Sequence, residues 1–416
     1  MASLTNGPRL LLLMTTITYR AGAFLEAAQR LNVSVVVGSE RPQVLAAAHP
    51  SGHLTLDFVS PEKPIPKLLE FHHNFPIDAV IAADDDGAIL AARAAQALGL
   101  RHNPVDAVAA ARNKHRMREI MSHAGISSPT FAAFSISEDP ELIARRVPYP
   151  CVIKPLSLSA SRGVIRADNP DQFVAAFRRV AAILRQPQVA ATTGDSAQTL
   201  LVEDFIPGDE IALEGLLTNG ELRVLAIFDK PDPLDGPFFE ETIYVTPSRL
   251  PVSSQKQIVE CATTGLHALG LRHGPVHVEV RLNERGAWII EIAPRSIGGL
   301  CSRTLRFGDG LSLEELILRH AIGLEVALFN RESCAAGVMM IPIPHAGVLR
   351  EVRGQQEARQ IGGIEDVRIA IPIGLELVPL PEGTKYLGFI FARAATPAQV
   401  EAALREAHRL LRFVID

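Results

Sequence analysis

Cysteine is scarce in this 416-residue sequence, with Cys151, Cys261, Cys301 and Cys334 at scattered positions. Without metal-site spacing, they fit a reducing cytosol better than a disulfide framework. The net charge of −5, with no basic run and no aromatic platform, argues against general nucleic-acid binding. The apolar run Leu10–Met14 is too short to span a membrane and lacks the layout of a signal peptide. We therefore expect a cytoplasmic protein with no nucleic-acid or membrane partner.

Internal repeats, low-complexity tracts and the glycine motif GxGxxG are also missing, so we predict no dinucleotide site. The remaining composition, with 47% hydrophobic and 21% charged residues, describes an ordinary globular protein. A chain of this length is expected to hold two or three structural units around sizeable cores.

Strands and helices alternate from about residue 8 to residue 105, which predicts a small parallel α/β unit. The predicted strands are Leu10–Met14, Val33–Val37 and Ala79–Ala83, and the predicted helices are Ala21–Leu31, Ile65–Asn74 and Ala88–Leu98. Ligands bind outside the carboxyl ends of such strands, and Asp84, Asp85 and Asp86 follow the third one. We expect at least one of these aspartates to cap the next helix instead.

The stretch from Val276 to Ile292 predicts a β-hairpin that carries two carboxylates to one place. Gly286 suits the end of a three-residue loop centred on Arg285. Counted from that loop, the predicted pairs are Asn283–Ala287, Val280–Ile290 and Glu279–Glu291. Opposed like charges destabilise a hairpin, and a divalent cation such as Mg²⁺ would make the glutamate pair tolerable. The alternative is that both glutamates face water.

A short segment after the hairpin adds further polar groups. Pro294-Arg295 ends the second strand, and the small-residue loop Ser296-Ile297-Gly298-Gly299 follows. Two carboxylates, an arginine and exposed backbone amides then lie close together in the chain. Such groups can bind a metal ion and stabilise developing oxyanions.

A second candidate site follows an apolar strand that ends in Lys154. The loop from Ser157 to Gly163 is built of small residues and includes Ser159 and Ser161. A loop of this kind between two strands can fold its amides over phosphate oxygens, and the serine hydroxyls add donors. It is not a Walker A loop, because the lysine precedes it and no helix follows directly. A plain β-turn is the alternative.

Together these segments resemble the ATP-grasp superfamily over nearly the whole chain. The family usually has a glutamate followed by Glu-x-Asn-x-Arg, and this chain has Glu279 followed by Glu291-Ile292-Ala293-Pro294-Arg295. Ala293 stands where the family usually has a metal-ligating asparagine. The remaining parts follow in family order from Lys114, which opens a helix, to Glu203 and Glu210 around a Pro-Gly turn.

The resemblance implies a role for each of these residues. The implied nucleotide-binding residues are Lys114, Lys154, Ser159, Ser161, Gly163, Glu203, Phe205 and Glu210. The implied ligands of Mg²⁺ (or Mn²⁺) are Glu279 and Glu291. The implied catalytic residues are Arg295, Gly298, Gly299 and His277, the last because it shares a strand face with Glu279. Taken alone, Lys114 would be read as a surface lysine.

The implied fold is of the α/β (α+β) class, with a Rossmann-like parallel α/β domain, a small lid and a larger antiparallel sheet. The expected boundaries are 1–105 for the N-terminal domain, 106–330 for the ATP-grasp domain with a lid at about 145–200, and 331–416 for a C-terminal part packing on it. The segments 228–247 and 377–395 resemble bacterial L-amino-acid ligases and related carboxylate–amine ligases.

Such an enzyme would join a small-molecule carboxylate to an amine through an acyl phosphate, with release of ADP and phosphate. A homodimer is left open, and the sequence names neither the acid nor the amine. The alternatives are an ATP-grasp carboxylase or phosphotransferase, and a non-catalytic nucleotide-binding module.

Overall fold

A four-stranded parallel sheet forms the N-terminal unit of the structure, a computed structural model that describes residues 7–42 and 51–416. Its elements are β1 (Arg9–Leu13), α1 (Ala21–Arg30), β2 (Ser34–Ser39), β3 (His53–Thr55), α2 (Ile65–Asn74), β4 (Ala79–Ala82) and α3 (Ala88–Ala97). The strand order is β3-β2-β1-β4. The predicted parallel α/β unit is confirmed, although β3 was not predicted because three residues carry too little pattern. The central strand β1 is apolar without alternation, since helices or neighbouring layers cover both faces of a parallel sheet.

Two helices lead from this unit to a small antiparallel sheet. They are α4 (Val105–Arg112) and α5 (Lys114–His123). The small sheet contains β5 (Phe131–Ser135), β6 (Cys151–Pro155), β7 (Ile165–Ala167) and β8 (Thr199–Asp204), in the order β5-β8-β6-β7. Its helices are α6 (Pro140–Ala144), α7 (Pro170–Leu184) and α8 (Pro187–Thr193). We refer to residues 131–204 as the lid.

The helix α7 shows how the sequence builds the lid. Asn169 accepts a hydrogen bond from Gln172 N, so its side chain caps the helix, and Pro170 suits the first turn. The apolar face of α7, including Phe173 and Phe177, is buried against the small sheet. The polar and small residues of segment 186–197 predict a loop or the edge of a lid, and in the structure this part of the lid contains α8 and a 3₁₀ turn. Pro187 begins α8, and Val189 is buried.

The second half of the chain forms an eight-stranded antiparallel sheet. Its first strands are β9 (Asp209–Thr218), β10 (Glu221–Asp229), β11 (Ile243–Thr246), β12 (Gly274–Asn283) and β13 (Gly286–Ala293), with α9 (Val252–Leu269) behind them. The valines at 276, 278 and 280 of β12 are fully buried on the side of the sheet that packs against α9. The alternate residues of β12, which carry the chemistry, therefore face the other way.

Register in the β12–β13 hairpin corrects part of the prediction. Asn283 pairs with Gly286, so the connection is the two-residue turn Glu284-Arg285 rather than a three-residue loop. The predicted pairs Asn283–Ala287 and Val280–Ile290 are therefore wrong, and the observed pairs are Leu282–Ala287 and Val280–Ile289. A β-bulge next to Val280 then adds one residue on β13. The two errors cancel, and Glu279 pairs with Glu291 as predicted.

The C-terminal part continues the same sheet. The elements from residue 306 onward are β14 (Arg306–Phe307), β15 (Leu311–Ser312), α10 (Leu313–Ala321), β16 (Ala335–Ile341), β17 (Gly347–Arg353), α11 (Gln355–Arg359), β18 (Ile364–Ile369), β19 (Glu376–Leu377), β20 (Gly388–Ala394), α12 (Pro397–Leu410) and β21 (Arg412–Ile415). The full strand order is β13-β12-β9-β10-β11-β16-β20-β18. Residues after 331 thus supply three strands of the large sheet, and the boundary at 331 stays a prediction. Across the described residues, no helix is long and apolar enough to cross a membrane.

Candidate functional site

A cavity of about 1520 Å³ lies where the N-terminal unit, the lid and the large sheet meet. Apart from Gly163, every site residue that the sequence predicts is on its wall. These residues are Lys114, Lys154, Ser159, Ser161, Glu203, Phe205, Glu210, His277, Glu279, Glu291, Arg295, Gly298 and Gly299. The structure therefore brings together groups that are up to 185 positions apart in the sequence, from 114 to 299.

Lys154 and Glu203 meet at the lid end of the cavity. They lie on the neighbouring strands β6 and β8, and Lys154 Nζ is 2.5 Å from Glu203 Oε2. Arg118, from α5, places its Nε 2.8 Å from Glu203 Oε1. Burial by itself would raise the pKa of the Glu203 carboxyl, but the two cations lower it below its ordinary value. Burial lowers the pKa of Lys154, which the nearby Glu203 only partly offsets. Arg118 was not predicted as a site residue.

Lys114 is buried, which makes the reading as a surface lysine wrong. The Asn113 side chain caps α5 by accepting from Arg116 N, and this cap directs the first turn of the helix at the cavity. Lys114 Nζ lies 3.3 Å from Glu291 Oε2 and donates to Leu158 O at 3.1 Å. One cation thus joins a helix, the hairpin and the small-residue loop.

The loop 157–163 folds over the cavity toward the N-terminal unit. Ser159 Oγ donates to Asp85 Oδ2 at 3.0 Å. Ala160 and Ser161 both have positive φ, at 56° and 53°, a conformation that costs a non-glycine residue free energy. Gly163 also has a positive φ, but it packs on Pro155, where a Cβ would come within 2.9 Å of Cγ. Its N–H donates to a carbonyl outside the lid, so its position does not support the predicted contact with phosphate.

Phe205 lies at the same end, between two arginines. The guanidinium carbons of Arg166 and Arg281 are 4.1 and 5.0 Å from its ring centroid. Cations over an aromatic face are attracted by the ring quadrupole, and here they hold the ring in place on the cavity wall.

A lysine that the sequence analysis missed lies inside a group of carboxylates. Lys230 Nζ is 2.8 Å from Glu210 Oε1 and 3.2 Å from Glu279 Oε1, and it also contacts Glu241 Oε1. Oxygens of the three glutamates lie within 4.8 Å of one another, close enough to hold a metal ion. Burial opposes charge on Lys230, yet its pKa is raised well above the ordinary value because the three carboxylates outweigh that effect. Lys230 and Glu241 belong to the 228–247 segment. The feature of the sequence that could have identified Lys230 is its place directly after an apolar strand that ends in Asp229.

The two predicted metal ligands, Glu279 and Glu291, have different neighbours in the structure. Glu279 joins Glu210 and Glu241, whereas Glu291 pairs with Lys114. Glu279 and Glu291 remain opposite one another on paired strands. Carboxylate oxygens are the ligands that hard divalent cations prefer, so these residues fit Mg²⁺ or Mn²⁺. Ala293 is buried opposite His277 at the end of the hairpin.

His277 lies between two carboxylates. Its Nδ1 is 3.1 Å from Glu214 Oε2, and its Nε2 is 3.4 Å from Glu279 Oε1. Burial would lower the pKa of this histidine, but the two hydrogen-bonded carboxylates raise it to about 9. Glu214, which the sequence analysis missed, also accepts from Ile297 N at 3.0 Å. The same carboxylate thus fixes His277 and the loop that leads to Gly298.

Arg295 is ion-paired with one of the aspartates that follow β4. Arg295 Nη2 is 2.8 Å from Asp85 Oδ2, and Arg112 Nη1 is 3.2 Å from Asp85 Oδ1. Burial would raise the pKa of Asp85, but the two guanidinium groups lower it far below its ordinary value. No side-chain cap is made by Asp84 or its neighbours at the described helix starts there, so the capping prediction is wrong. Asp84 instead accepts from Thr15 and Thr18.

Family models match three parts of the chain. A model of the ATP-grasp domain matches residues 147–304, and a model of the ATP-grasp N-terminal domain matches residues 25–102. A model of the L-amino acid ligase C-terminal domain 2 matches residues 339–416. The three matched ranges follow the order in which the structure arranges the N-terminal unit, the lid with the hairpin, and the C-terminal strands.

Individual proteins match as well. The chain is 28% identical to the alanine–anticapsin ligase of Bacillus amyloliquefaciens over 285 residues, which is 65% of this chain and 58% of that protein. The crystal structure of an L-amino acid ligase from Bacillus licheniformis superposes with a TM-score of 0.81 and 26% identity, and the match covers 99% of both chains. A carboxyaminoimidazole ribonucleotide synthase from Aspergillus clavatus, solved with ATP, has a TM-score of 0.69 at 17% identity over 96% of this chain and 97% of that one. At that identity the likeness concerns the fold alone.

Proposed function

The chain belongs to the ATP-grasp superfamily, and from this membership and the cavity we propose that it is an ATP-dependent carboxylate–amine ligase. The observation that carries the proposal is the composition of one wall: two lysines, a set of carboxylates and an arginine converge on a single cavity. Cations suit the phosphates of ATP, and carboxylates suit the metal ion that accompanies them. The matched part of the chain spans only 58% of the alanine–anticapsin ligase, so its substrates are not carried over.

The proposed reaction has two steps. An oxygen of the acid attacks the γ-phosphorus of ATP, the bond from that phosphorus to the β–γ bridging oxygen breaks, and ADP leaves. The amine nitrogen then attacks the acyl carbon and loses a proton to solvent, the bond from that carbon to the oxygen shared with phosphorus breaks, and phosphate leaves with that oxygen. The protein has to position these groups and stabilise charge rather than react covalently.

The nucleotide would lie between the lid and the large sheet. In the structure Lys154 pairs with Glu203 and Lys114 pairs with Glu291. Phosphate oxygens of ATP would be additional partners for both lysines. Phe205 is on the cavity wall at the lid end, and its ring would lie beside the base. Ser159 and Ser161 are donors at the loop above.

Glu279 and Glu291 would hold Mg²⁺ or Mn²⁺, with Glu210 and Glu241 next to Glu279. When bound, such an ion neutralises phosphate oxygens and the charge that develops on them. Ala293 offers no ligand, and the additional carboxylates beside Glu279 are paired with Lys230 in this structure.

Arg295 and the Gly298-Gly299 backbone would bind the carboxylate of the acid or the oxyanion formed from it. Arg295 is held in place by Asp85, so its direction is set before substrate arrives. The carboxylates of Glu214 and Glu279 raise the pKa of His277 to about 9, so His277 would contribute a positive charge beside the reacting groups at neutral pH. Amino acids are the proposed substrate class, by likeness to the L-amino acid ligase. A cytoplasmic location and a homodimer remain predictions.

The test is ADP release with ATP, Mg²⁺ and pooled amino acids, followed by mass spectrometry of the products. Hydroxylamine in place of the amine should yield a hydroxamate that depends on the acid. Release of AMP and pyrophosphate would contradict the acyl-phosphate mechanism. ATP turnover that requires bicarbonate would favour a carboxylase, and ATP binding without turnover over a wide panel would favour a binding module.

A further inference from the structure

A loop of the C-terminal part, residues 378–386, reaches back to the lid. It connects β19 to β20, and the residues at its two ends, Leu377 and Leu387, are fully buried. Within it, Gly383 N donates to Pro379 O at 2.8 Å. A Cβ on Gly383 would lie 1.9 Å from Val378 O, so only glycine fits this turn. The loop is thus anchored at both ends and fixed in the middle.

This C-terminal loop contacts the lid at two points. Gly163 N donates to Pro381 O at 2.9 Å, at the end of the small-residue loop above the cavity. Arg179, on α7, forms a fork with Glu382, with Nε–Oε1 and Nη2–Oε2 distances of 2.6 and 2.8 Å. Two parallel charge-assisted bonds of this kind are stronger and more directional than a single ion pair. Both contacts join the lid to the large sheet.

These contacts lie next to the small-residue loop 157–163, whose backbone conformation needs support. Ala160 and Ser161 hold backbone conformations that cost free energy, and such residues persist only where their surroundings hold them. The contact at Gly163 lies two residues after Ser161. On the other side, the C-terminal loop lines the cavity with Thr384, Lys385 and Tyr386.

We propose that Glu382 is a positioning residue that holds the lid closed over bound nucleotide through Arg179. This proposal rests on the nucleotide-binding half of the proposed function and goes beyond it, because neither residue touches the cavity wall. A lid must open for ADP to leave, so a contact that joins the lid to the C-terminal loop would slow that step. Arg166 N also bonds to Pro237 O at 2.9 Å, so the lid keeps a second attachment when the fork is removed.

The chain offers a matched control one residue away. Arg178 pairs with Glu141 at 3.2 Å, and both residues belong to the lid itself. The substitution Arg178→Gln therefore removes a comparable arginine from the same helix without detaching the lid from the large sheet. Glu382→Gln and Arg179→Gln each remove the fork, and Arg179→Glu combined with Glu382→Arg reverses its polarity.

The experiment measures release of a fluorescent ADP analogue, chased by excess ADP in the presence of Mg²⁺. We expect release to be about two- to fivefold faster in Glu382→Gln and Arg179→Gln, as for a partly exposed ion pair. Arg178→Gln should match the wild type, and the reversed pair should regain most of the loss. At 0.5 M salt the difference should shrink because the fork is partly exposed.

Amide hydrogen exchange of the nucleotide-free protein gives a second readout. The peptide that contains Gly163 should exchange faster in Glu382→Gln than in the wild type or in Arg178→Gln. Unchanged ADP release in Glu382→Gln, or an equal change in Arg178→Gln, would overturn the proposal. Neither measurement needs an amide product. If the protein bound ADP but did not join an acid to an amine, the proposed ligase function would be wrong, and the role of Glu382 could still be tested.

Discussion

Lys230 Nζ lies 3.2 Å from Glu279 Oε1, inside a group of three carboxylates that could otherwise hold a cation. Burial opposes the charge on Glu279, yet its pKa is well below the ordinary value, with the Lys230 charge the largest effect in that direction. The lysine thus favours the ionised form of Glu279, whereas burial raises the pKa of Glu241 despite the same lysine. Lys230 directly follows β10 and lies outside the hairpin that carries Glu279.

Replacing Lys230 with Met tests this arrangement. Removing one partner of a buried ion pair typically costs about 3–5 kcal/mol, because the remaining charges stay buried without compensation. We expect a lower free energy of unfolding and a larger gain in melting temperature from millimolar Mg²⁺ or Mn²⁺ than in the wild type. Lys256→Met, at an exposed pair on α9, should change neither quantity. Equal responses of Lys230→Met and the wild type to the cation would contradict a site here.

The second prediction concerns Glu291. Glu291→Gln keeps the shape of the side chain, removes its charge and leaves Lys114 without its carboxylate partner. We expect turnover to fall by about 10²–10³, the range seen when a charge-stabilising group is lost, and nucleotide affinity to fall only modestly. ADP release and hydroxamate formation measure the first, and calorimetry with ADP measures the second. Glu284→Gln, at the exposed turn of the same hairpin, is the control. Turnover of Glu291→Gln within threefold of the wild type would exclude the proposed role.

Lys154 is the third test. The substitution Lys154→Met removes the cation nearest Glu203, although Arg118 still faces that carboxylate. We expect the rise in melting temperature caused by ATP with Mg²⁺ to fall sharply, because phosphate loses a cation at the lid end of the cavity. Differential scanning fluorimetry with and without ATP measures it, and Lys256→Met should behave like the wild type. A full ATP-dependent shift in Lys154→Met would rule out Lys154 as a phosphate ligand.

The fourth prediction concerns acid stability. His320 is buried on α10, stacked on His273 and hydrogen-bonded to Thr218 Oγ1 at 2.9 Å. Burial, followed by the charges of His273 and Arg101, lowers its pKa to about 4. The folded protein thus binds fewer protons than the unfolded chain, so stability is complete above about pH 6.5 and falls as the pH drops toward 4.

Urea unfolding of the wild type and His320→Gln at pH 7.5 and pH 5 checks this. Between pH 7.5 and pH 5, the free energy of unfolding of the wild type should fall by on the order of 1–2 kcal/mol more than that of the variant. The reason is that His320 takes up a proton in the unfolded chain, whereas a glutamine at the same position does not. His72→Gln, at a partly exposed position on α2, should follow the wild type. An equal loss in both proteins would show that His320 does not carry the effect.

Much of the site was readable in the sequence because its parts are local patterns. The strand ending in Lys154, the alternation along β12 and the small-residue loop after Lys154 each follow from neighbouring residues. The pairing of Glu279 with Glu291 was reached through two errors that cancel, a turn one residue too long and a missing β-bulge. A bulge depends on how a strand bends in its sheet, which local alternation does not encode.

What only the tertiary structure decided is which charges are partners. The sequence by itself determined the α/β class, the order of the elements and most of the residues that reach the cavity, because hydrophobic period and turn residues act over a few positions. The pairs Asp85–Arg295, Lys230–Glu279 and Glu382–Arg179 join separate parts of the fold, and the residues of two of these pairs are about 200 positions apart in the sequence. A charged residue in a sequence has many possible partners. Only the packing of the N-terminal unit, the lid and the large sheet around the cavity selects one partner and buries the pair deeply enough to shift its pKa values.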